Sequence, residues 1–531
     1  MIRIRQLKIL VNNKEDNILK KKCAKKLGIS DKDIKAIKII KRSIDARNKP
    51  DIYYSYIVDV KVKDEKYIIK KKYKDKDVFY VDKDIDKYVF VPSGKRKIAF
   101  RPIVVGMGPS GLIVGYMLAK YGYNPLIIER GNDVDKRVKD IEEFWNSNKL
   151  NTNSNVQFGE GGAGTFSDGK LNTRIKDKNN YQKMVFDIFV ENGAPEEIRY
   201  VNDPHIGTDN LRKIVKNIRN KIIDMGGKIR FNTCLTDIEI KDNMVSSITV
   251  NENEKIHCNV LILAIGHSAR DTFKMLHSKN INMESKPFAV GVRIIHPQKL
   301  INKNQYGVEK SRLLKAASYK LTYKAKSGRG VYTFCMCPGG YVINASSEEN
   351  GLCVNGMSNY KRNSECANSA VVATVDNRDY GDDVLDGMMF QQEIEKRAYA
   401  AGKGVMPISL LRDYNSNTIS SSFGKVIPAI KGRYMFANLD NILPDDINDS
   451  IKEAICEFNN KIDGFSSDDS VIAGVETRTS SPVRIIRDES HEACVKGLYP
   501  CGEGSGYAGG IVSSAVDGLI TFEKIADVYM G

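Results

Sequence analysis

The chain is poor in the features that staple small proteins or anchor proteins in lipid. Its ten cysteines include no CxxC pair and no His/Cys cluster at zinc-finger spacing, so no metal site is expected. The closest pair, Cys335 and Cys337, is two apart, and in a strand both would point to one face. No apolar run reaches membrane-spanning length. The first fourteen residues are basic but lack the sustained apolar stretch and small-residue cleavage site of a secretory leader. There is only one tryptophan, Trp145. Together these absences predict a soluble, reduced, cytoplasmic protein with no membrane partner.

Acidic residues are scarce in one place only. The first hundred residues hold 29 Lys+Arg against 14 Asp+Glu, a net +15 out of the +16 of the whole chain. Such a segment can attract nucleic acid, an anionic substrate or an acidic partner protein, or it can be a solvated Lys-rich surface. Its lysines fall in no recognisable binding motif, so the solvated surface is the expectation and nucleic acid is not the expected partner. At 531 residues the chain exceeds a single core and should divide into several domains.

What is present is centred on residues 101–131. An apolar run, 103–105, leads into Gly106, Gly108 and Gly111 at GxGxxG spacing, followed by a helical pattern over 112–121 and a second strand over 125–128 closed by Glu129. Gly106 permits the tight turn off the strand, Gly108 lets backbone approach a pyrophosphate, and Gly111 lets the helix pack closely on the sheet. The helix N-terminus offers unpaired N–H groups to phosphates. Glu129 stands about twenty residues on, where a carboxylate can accept both ribose hydroxyls. A lone GxGxxG is weak evidence; the strand before it, the helix after it and the acid at the right distance make this a dinucleotide site.

Residues 1–98 read as a small basic α+β domain of strand, helix, strand and strand, with short strands expected near 66–70 and 78–80, which suits a ferredoxin-like sandwich. The first part of the dinucleotide domain spans 99–283. Within it, 158–174 carries five glycines in eleven residues, bare backbone of the kind a flat or anionic ligand can approach, with Ser167, Lys170 and Arg174 as anion-binding groups. His205, in a turn, reads as a structural loop histidine. A fully apolar strand over 260–265 returns to a parallel sheet and runs into Gly266 and His267. Residues 284–480 read as an inserted, largely β domain. The dinucleotide domain then resumes over 481–531, with a third glycine-rich segment, 499–510, opening a helix at Gly510 and Ile511.

Three glycine-rich approaches argue for one long cofactor, and no second complete GxGxxG exists: Gly402 and Gly404 are followed by Pro407 where the third glycine should stand. The sequence therefore points to FAD. The motifs GMGPSGL, FGEGGAGTFSDGKLNTR, AIGHSARDT, FCMCPGG, NGMS, ETRTSSPVRI and YPCGEGSGYAGGI, in this order, resemble those of the largely uncharacterised bacterial FAD-dependent dehydrogenases with an FAD-dependent-protein C-terminal domain. The resemblance covers nearly the whole chain. It implies an α/β, doubly wound, glutathione-reductase-like FAD domain with an inserted β domain and a small N-terminal domain, and it supplies no substrate.

By that resemblance Gly106, Gly108, Pro109, Ser110 and Gly111 would hold the pyrophosphate, and Glu129 with Arg130 the adenosine end. Gly161, Gly162, Gly164 and Lys170 would pass along the pyrophosphate and ribityl chain, Gly266 would close over the cofactor, and Gly502, Glu503, Gly510 and Ile511 would bring a carboxylate and a helix dipole to the flavin. On the substrate side, Arg478 and Arg484 are candidates to clamp a carboxylate or phosphate, Tyr507 is a candidate proton donor, and His267 is either the acid or base or a structural histidine beside the cofactor. Cys501 has no partner cysteine nearby, which argues against a disulfide reductase. The expected activity is an FAD-dependent oxidoreductase, dehydrogenase or reductase, acting on a small, anionic metabolite, with NAD(P)H or a protein as electron partner. A nucleic-acid-linked flavoprotein using the basic N-terminal domain and a non-catalytic FAD-binding protein are the alternatives.

Overall fold

A computed structural model describes the chain apart from residues 12–14, 83–86, 174–176 and 178. Arg174, expected as an anion-binding group, lies outside the described residues.

The N-terminal segment runs β1 (Ile2–Leu10), α1 (Glu15–Leu27), β2 (Ile34–Asp45), β3 (Tyr53–Val62), α2 (Glu65–Lys71) and β4 (Val78–Tyr80). Its sheet has the order β2-β3-β1-β4 with every neighbour antiparallel, the arrangement of two interleaved split βαβ units. Alternation builds its core: Tyr54, Tyr56, Val58, Val60 and Val62 of β3 are buried with Ile2 and Ile4 of β1 and with Leu19, Cys23 and Leu27 of α1. The strand expected near 66–70 is helix α2. Asp64 decides this, since its side chain accepts the N–H of Tyr67 at 3.0 Å and caps the first turn. β2 escapes sequence reading because lysines interrupt its alternation.

The connection after β4 is strapped to the far end of the chain. Arg96–Lys97 pairs in parallel with Tyr529–Met530, the Gly94 N–H donates to Ala526 O at 2.9 Å, and the Tyr88 hydroxyl donates to Glu523 at 2.7 Å.

The dinucleotide domain is a five-stranded parallel sheet in the order Leu498–Pro500, Leu261–Leu263, Ile103–Val105, Leu126–Ile128, Lys228–Arg230. Strands Ile103–Val105 and Leu261–Leu263 are apolar throughout because helices or loops cover both faces. The helix Pro109–Lys120 is buried from Ser110 through Ala119. It lies between the sheet and the C-terminal helix Ile511–Ala526, so it is apolar on all sides rather than amphipathic. Glycines permit that depth: a Cβ on Gly111 would stand 2.0 Å from Gly106 O, and one on Gly518 would stand 2.5 Å from Ser110 O.

The inserted domain is built on a seven-stranded mixed sheet in the order Thr322–Lys324, Gly330–Cys337, Cys366–Val375, Phe288–Pro297, Val471–Glu476, Met406–Leu410, Tyr434–Phe436. One face packs on the helices Asp386–Ala401 and Asp445–Phe458 to form the largest core of the molecule. The other face turns toward the dinucleotide domain. In Gly330–Cys337 the register slips between Phe334 and Cys337, and Cys335 takes a left-handed backbone with φ 40°. The two cysteines therefore do not share a face: Cys335 is exposed and Cys337 is buried.

Candidate functional site

One cavity of about 1250 Å³ runs between the two domains. Its dinucleotide-domain wall is bare backbone: Gly106 to Ser110, Gly162 to Gly164, Gly266, and Gly509 to Ile511 all line it. A Cβ on Gly266 or Gly509 would have no heavy atom within 4 Å, and one on Gly108 would meet only Gly162 Cα at 3.8 Å. These glycines face open space rather than packed neighbours. A flat or anionic ligand can therefore reach backbone at three separate segments, and two helix N-termini, at Gly108 and Gly510, open on the same space.

Glu129 is the fixed point of this wall. It is buried, and its Oε2 accepts the Met107 N–H at 2.8 Å while Oε1 accepts the N–H groups of Gly131 and Gly159 at 2.9 Å each. Of about four acceptor positions on a carboxylate, three are taken, which leaves one for a ribose hydroxyl rather than the expected pair. The acid thus ties the first glycine turn to the second glycine-rich segment. Arg130 lines the cavity beside it, paired with Asp271 at 2.7 Å and lying over the Phe158 ring at 4.4 Å.

Three expected cofactor contacts point elsewhere. Gly161 does not line the cavity; its N–H donates to Met107 O at 2.8 Å, and a Cβ there would strike Thr165 Oγ1 at 2.1 Å. Gly502 is likewise internal, its N–H donating to Asp517 at 2.7 Å and its Cα packed on Ser110. Both are glycines of close packing. Gly111, also off the cavity, is the helix-packing glycine the fingerprint calls for.

At the C-terminal ends of two adjacent parallel strands, His267 and Glu503 both line the cavity. His267 Nδ1 lies 3.1 Å from Glu503 Oε1, off hydrogen-bond alignment, and neither buried ring nitrogen has a hydrogen-bond partner. Lys286 adjoins them; burial and the nearby Arg484 push its ammonium below the ordinary lysine range, against the pull of Glu503. Tyr507 and Arg484 line the same end, with the Arg487 guanidinium 3.9 Å and the Arg484 guanidinium 5.3 Å from the Tyr507 ring centroid.

Arg478 corrects the expectation of a substrate clamp. Its Nε and Nη2 donate to the two oxygens of Glu395 at 3.0 and 2.9 Å, and its Nη1 to Ser268 at 3.1 Å and to Ser347. Four of five donors are spent. Glu395 also receives Arg270 from the dinucleotide domain, so the triad crosses the domain boundary. Burial alone would raise the Glu395 carboxyl, but Arg270 and Arg478 hold it well below the usual carboxylate range. Arg484 remains the more available guanidinium, paired with an exposed Glu284.

Sequence reading gave no role to the inserted domain's wall, Tyr332, Phe334, Cys335, Met336, Asn355 and Glu476, although all but Tyr332 stand in the motifs FCMCPGG, NGMS and ETRTSSPVRI. Behind it Arg293, fully buried, donates to Glu476 at 2.8 Å, to Asn368 at 2.6 Å and to Asn355 at 3.0 Å. The signal was there. Arg293 stands within a mostly apolar strand and Glu476 ends an apolar one, and a charge buried at either place needs a partner.

Residues 287–479 match the family described as FAD-dependent protein, C-terminal domain-like, and residues 1–61 match a domain of unknown function. An uncharacterised protein of Clostridium beijerinckii is 47% identical over 534 residues, covering 99% of each chain. The chain belongs to this FAD-dependent family. Solved structures that resemble it include glycine oxidase from Bacillus cereus, 11% identical with a TM-score of 0.37 over 81% of this chain and 98% of that one. L-proline dehydrogenase from P. horikoshii is 13% identical with a TM-score of 0.34 over 82% and 94%. The cofactor of this FAD-dependent family fits the cavity described: bare glycine backbone at three segments, two helix N-termini, and one free acceptor position on Glu129.

Proposed function

We propose that the protein is an FAD-dependent oxidoreductase that dehydrogenates or reduces a small, anionic metabolite. The observation that carries this reading is the continuity of the cavity, which joins the cofactor cradle around Glu129 to a second wall on the inserted domain, leaving room for a reactant beside the cofactor. FAD, when bound, supplies the hydride chemistry. This chain's residues bind and orient it: Gly106 to Ser110 and Gly162 to Gly164 would hold the pyrophosphate, Glu129 the adenosine ribose, and the Gly510 end of the last helix the flavin. His267 would exchange a proton with the reactant through its unpartnered ring nitrogens, and Lys286 and Arg484 supply positive charge at the same end of the cavity. The electron partner is proposed to be NAD(P)H or another protein.

The test is an absorption spectrum of the purified protein, identification of the released cofactor, and anaerobic addition of NADH and NADPH. A flavin spectrum that bleaches with a donor is expected. A bound flavin that no reductant of physiological potential can reduce would reject catalysis.

A further inference from the structure

Tyr332 and Phe334 are alternate residues of Gly330–Cys337 and so stand on one face of the seven-stranded sheet, the face turned toward the dinucleotide domain. In register they oppose Val372 and Ala370. With Ala289 these small side chains form a patch separate from the main core, and the two rings pack over it, edge to face, with centroids 6.5 Å apart. Both rings are only partly buried and line the cavity, with Leu321 and Met336 beside them. Nothing in the main core needs aromatic side chains here; the rings present an apolar surface to the cavity.

A cation stands next to that surface. Lys170, on the dinucleotide-domain side, lines the same cavity and makes no ion pair among the described residues, whereas Asp168 nearby is taken by Arg362. Lys170 shares the cavity with Cys335 and Cys337 at the end of the strand that carries Tyr332 and Phe334, and the Asp168–Arg362 pair beside it holds its segment against the inserted domain. Lys170 was expected on the cofactor side; it stands where the two walls meet.

We infer that the substrate is an aromatic acid, its ring seated against Tyr332 and Phe334 and its carboxylate facing Lys170. This rests on the flavoprotein reading above and deepens it. An aromatic ring set against two others gains from both area and edge-to-face contact, and an ammonium with no other partner takes the carboxylate without displacing an ion pair.

Benzoate, benzamide and acetate are the probes, titrated into the flavin-loaded protein while the flavin absorption band is followed. Benzoate has both ring and charge, benzamide the ring alone, acetate the charge alone. Benzoate is expected to shift the band with a Kd at least about tenfold below that of either other probe. Phe334→Leu, which keeps an apolar side chain and removes the ring, should weaken benzoate by about tenfold and leave acetate unchanged. Lys170→Met should bring benzoate to the level of benzamide. Flavin content identical to wild type shows that either variant is folded. Equal affinity for benzoate and acetate, or benzoate binding indifferent to Phe334→Leu, overturns the inference. A bound flavin that none of the three probes perturbs also overturns it while the flavoprotein reading stands; a protein that takes up no flavin defeats that reading, and the inference with it.

Discussion

His267 Nδ1 stands 3.1 Å from Glu503 Oε1, the two side chains reaching across from loops that follow neighbouring strands of the parallel sheet. The imidazole is buried, with both nitrogens free of hydrogen bonds. In the proposed reaction this imidazole exchanges a proton with the reactant. His267→Ala should slow anaerobic flavin reduction by substrate roughly a hundredfold or more, the usual range for a lost acid or base, with flavin content unchanged. Loss of flavin with an unaltered rate per bound flavin would instead make it a cofactor-holding residue.

Glu129 accepts three buried backbone N–H groups from three different turns. Glu129→Ala orphans all three, at about 1 kcal/mol or more each. The cofactor-free protein should therefore lose about 3 kcal/mol in a denaturant titration, and flavin should wash out on gel filtration. Unchanged stability would mean the three donors find other acceptors.

Glu395 pairs with both Arg270 and Arg478 at the domain boundary, while Arg270 also meets Glu348. Removing it strands the buried Arg478 guanidinium without a carboxylate and leaves Arg270 with Glu348 alone, and breaking a buried pair in this way costs about 3–5 kcal/mol. Glu395→Ala should lower the melting temperature sharply. The double substitution Glu395→Leu with Arg478→Met should recover part of that loss; if it fell further, the triad would be a source of stability rather than a matched set.

Acid should weaken the fold through histidines as well as carboxylates. Burial pushes His205 and His296 down to about 4, the nearby Arg362 adding to the effect at His205; His296 donates through Nε2 to Phe465 O at 2.7 Å. The unfolded chain takes up protons on both below about 6.5, the folded chain only near 4, so their contribution is intact above neutrality and is lost as pH falls between those values. Each accounts for at most about 3 kcal/mol. Urea midpoints should fall between pH 7.5 and pH 5, and His296→Gln should flatten that dependence. Identical midpoints at both pH values would show that neither imidazole stays neutral in the fold.

Local chemistry made the dinucleotide site legible. Strand, turn glycine, helix and acid from Ile103 to Glu129 all lie within one supersecondary unit, so spacing alone specifies how they meet. The misreadings have the opposite origin. Whether 66–70 is strand or helix turns on one cap, Asp64; whether Cys335 and Cys337 share a face turns on one bulge. Gly161 and Gly502 look like ligand glycines until their neighbours, Thr165 and Ser110, are in place. The Arg270–Glu395–Arg478 triad joins residues from separate domains, and Tyr332 and Phe334, though alternation sets them on one face, reach the cavity only because that face meets another domain; no periodicity in a chain encodes such meetings.

The parallel sheet of the cofactor domain takes its outer strand, Leu498–Pro500, from beyond the inserted domain, about 235 residues after its neighbour Leu261–Leu263. At a synthesis rate of roughly 5–20 residues per second, a nascent chain holds Leu261–Leu263 ready for some 10–50 s before the strand and helix that complete the cradle emerge. During that interval the apolar edge of Leu261–Leu263 has nothing beside it. The inserted domain's strands from Phe288 to Glu476 are all made within that gap, so the sheet of the cofactor domain cannot close until the whole inserted domain has been synthesised.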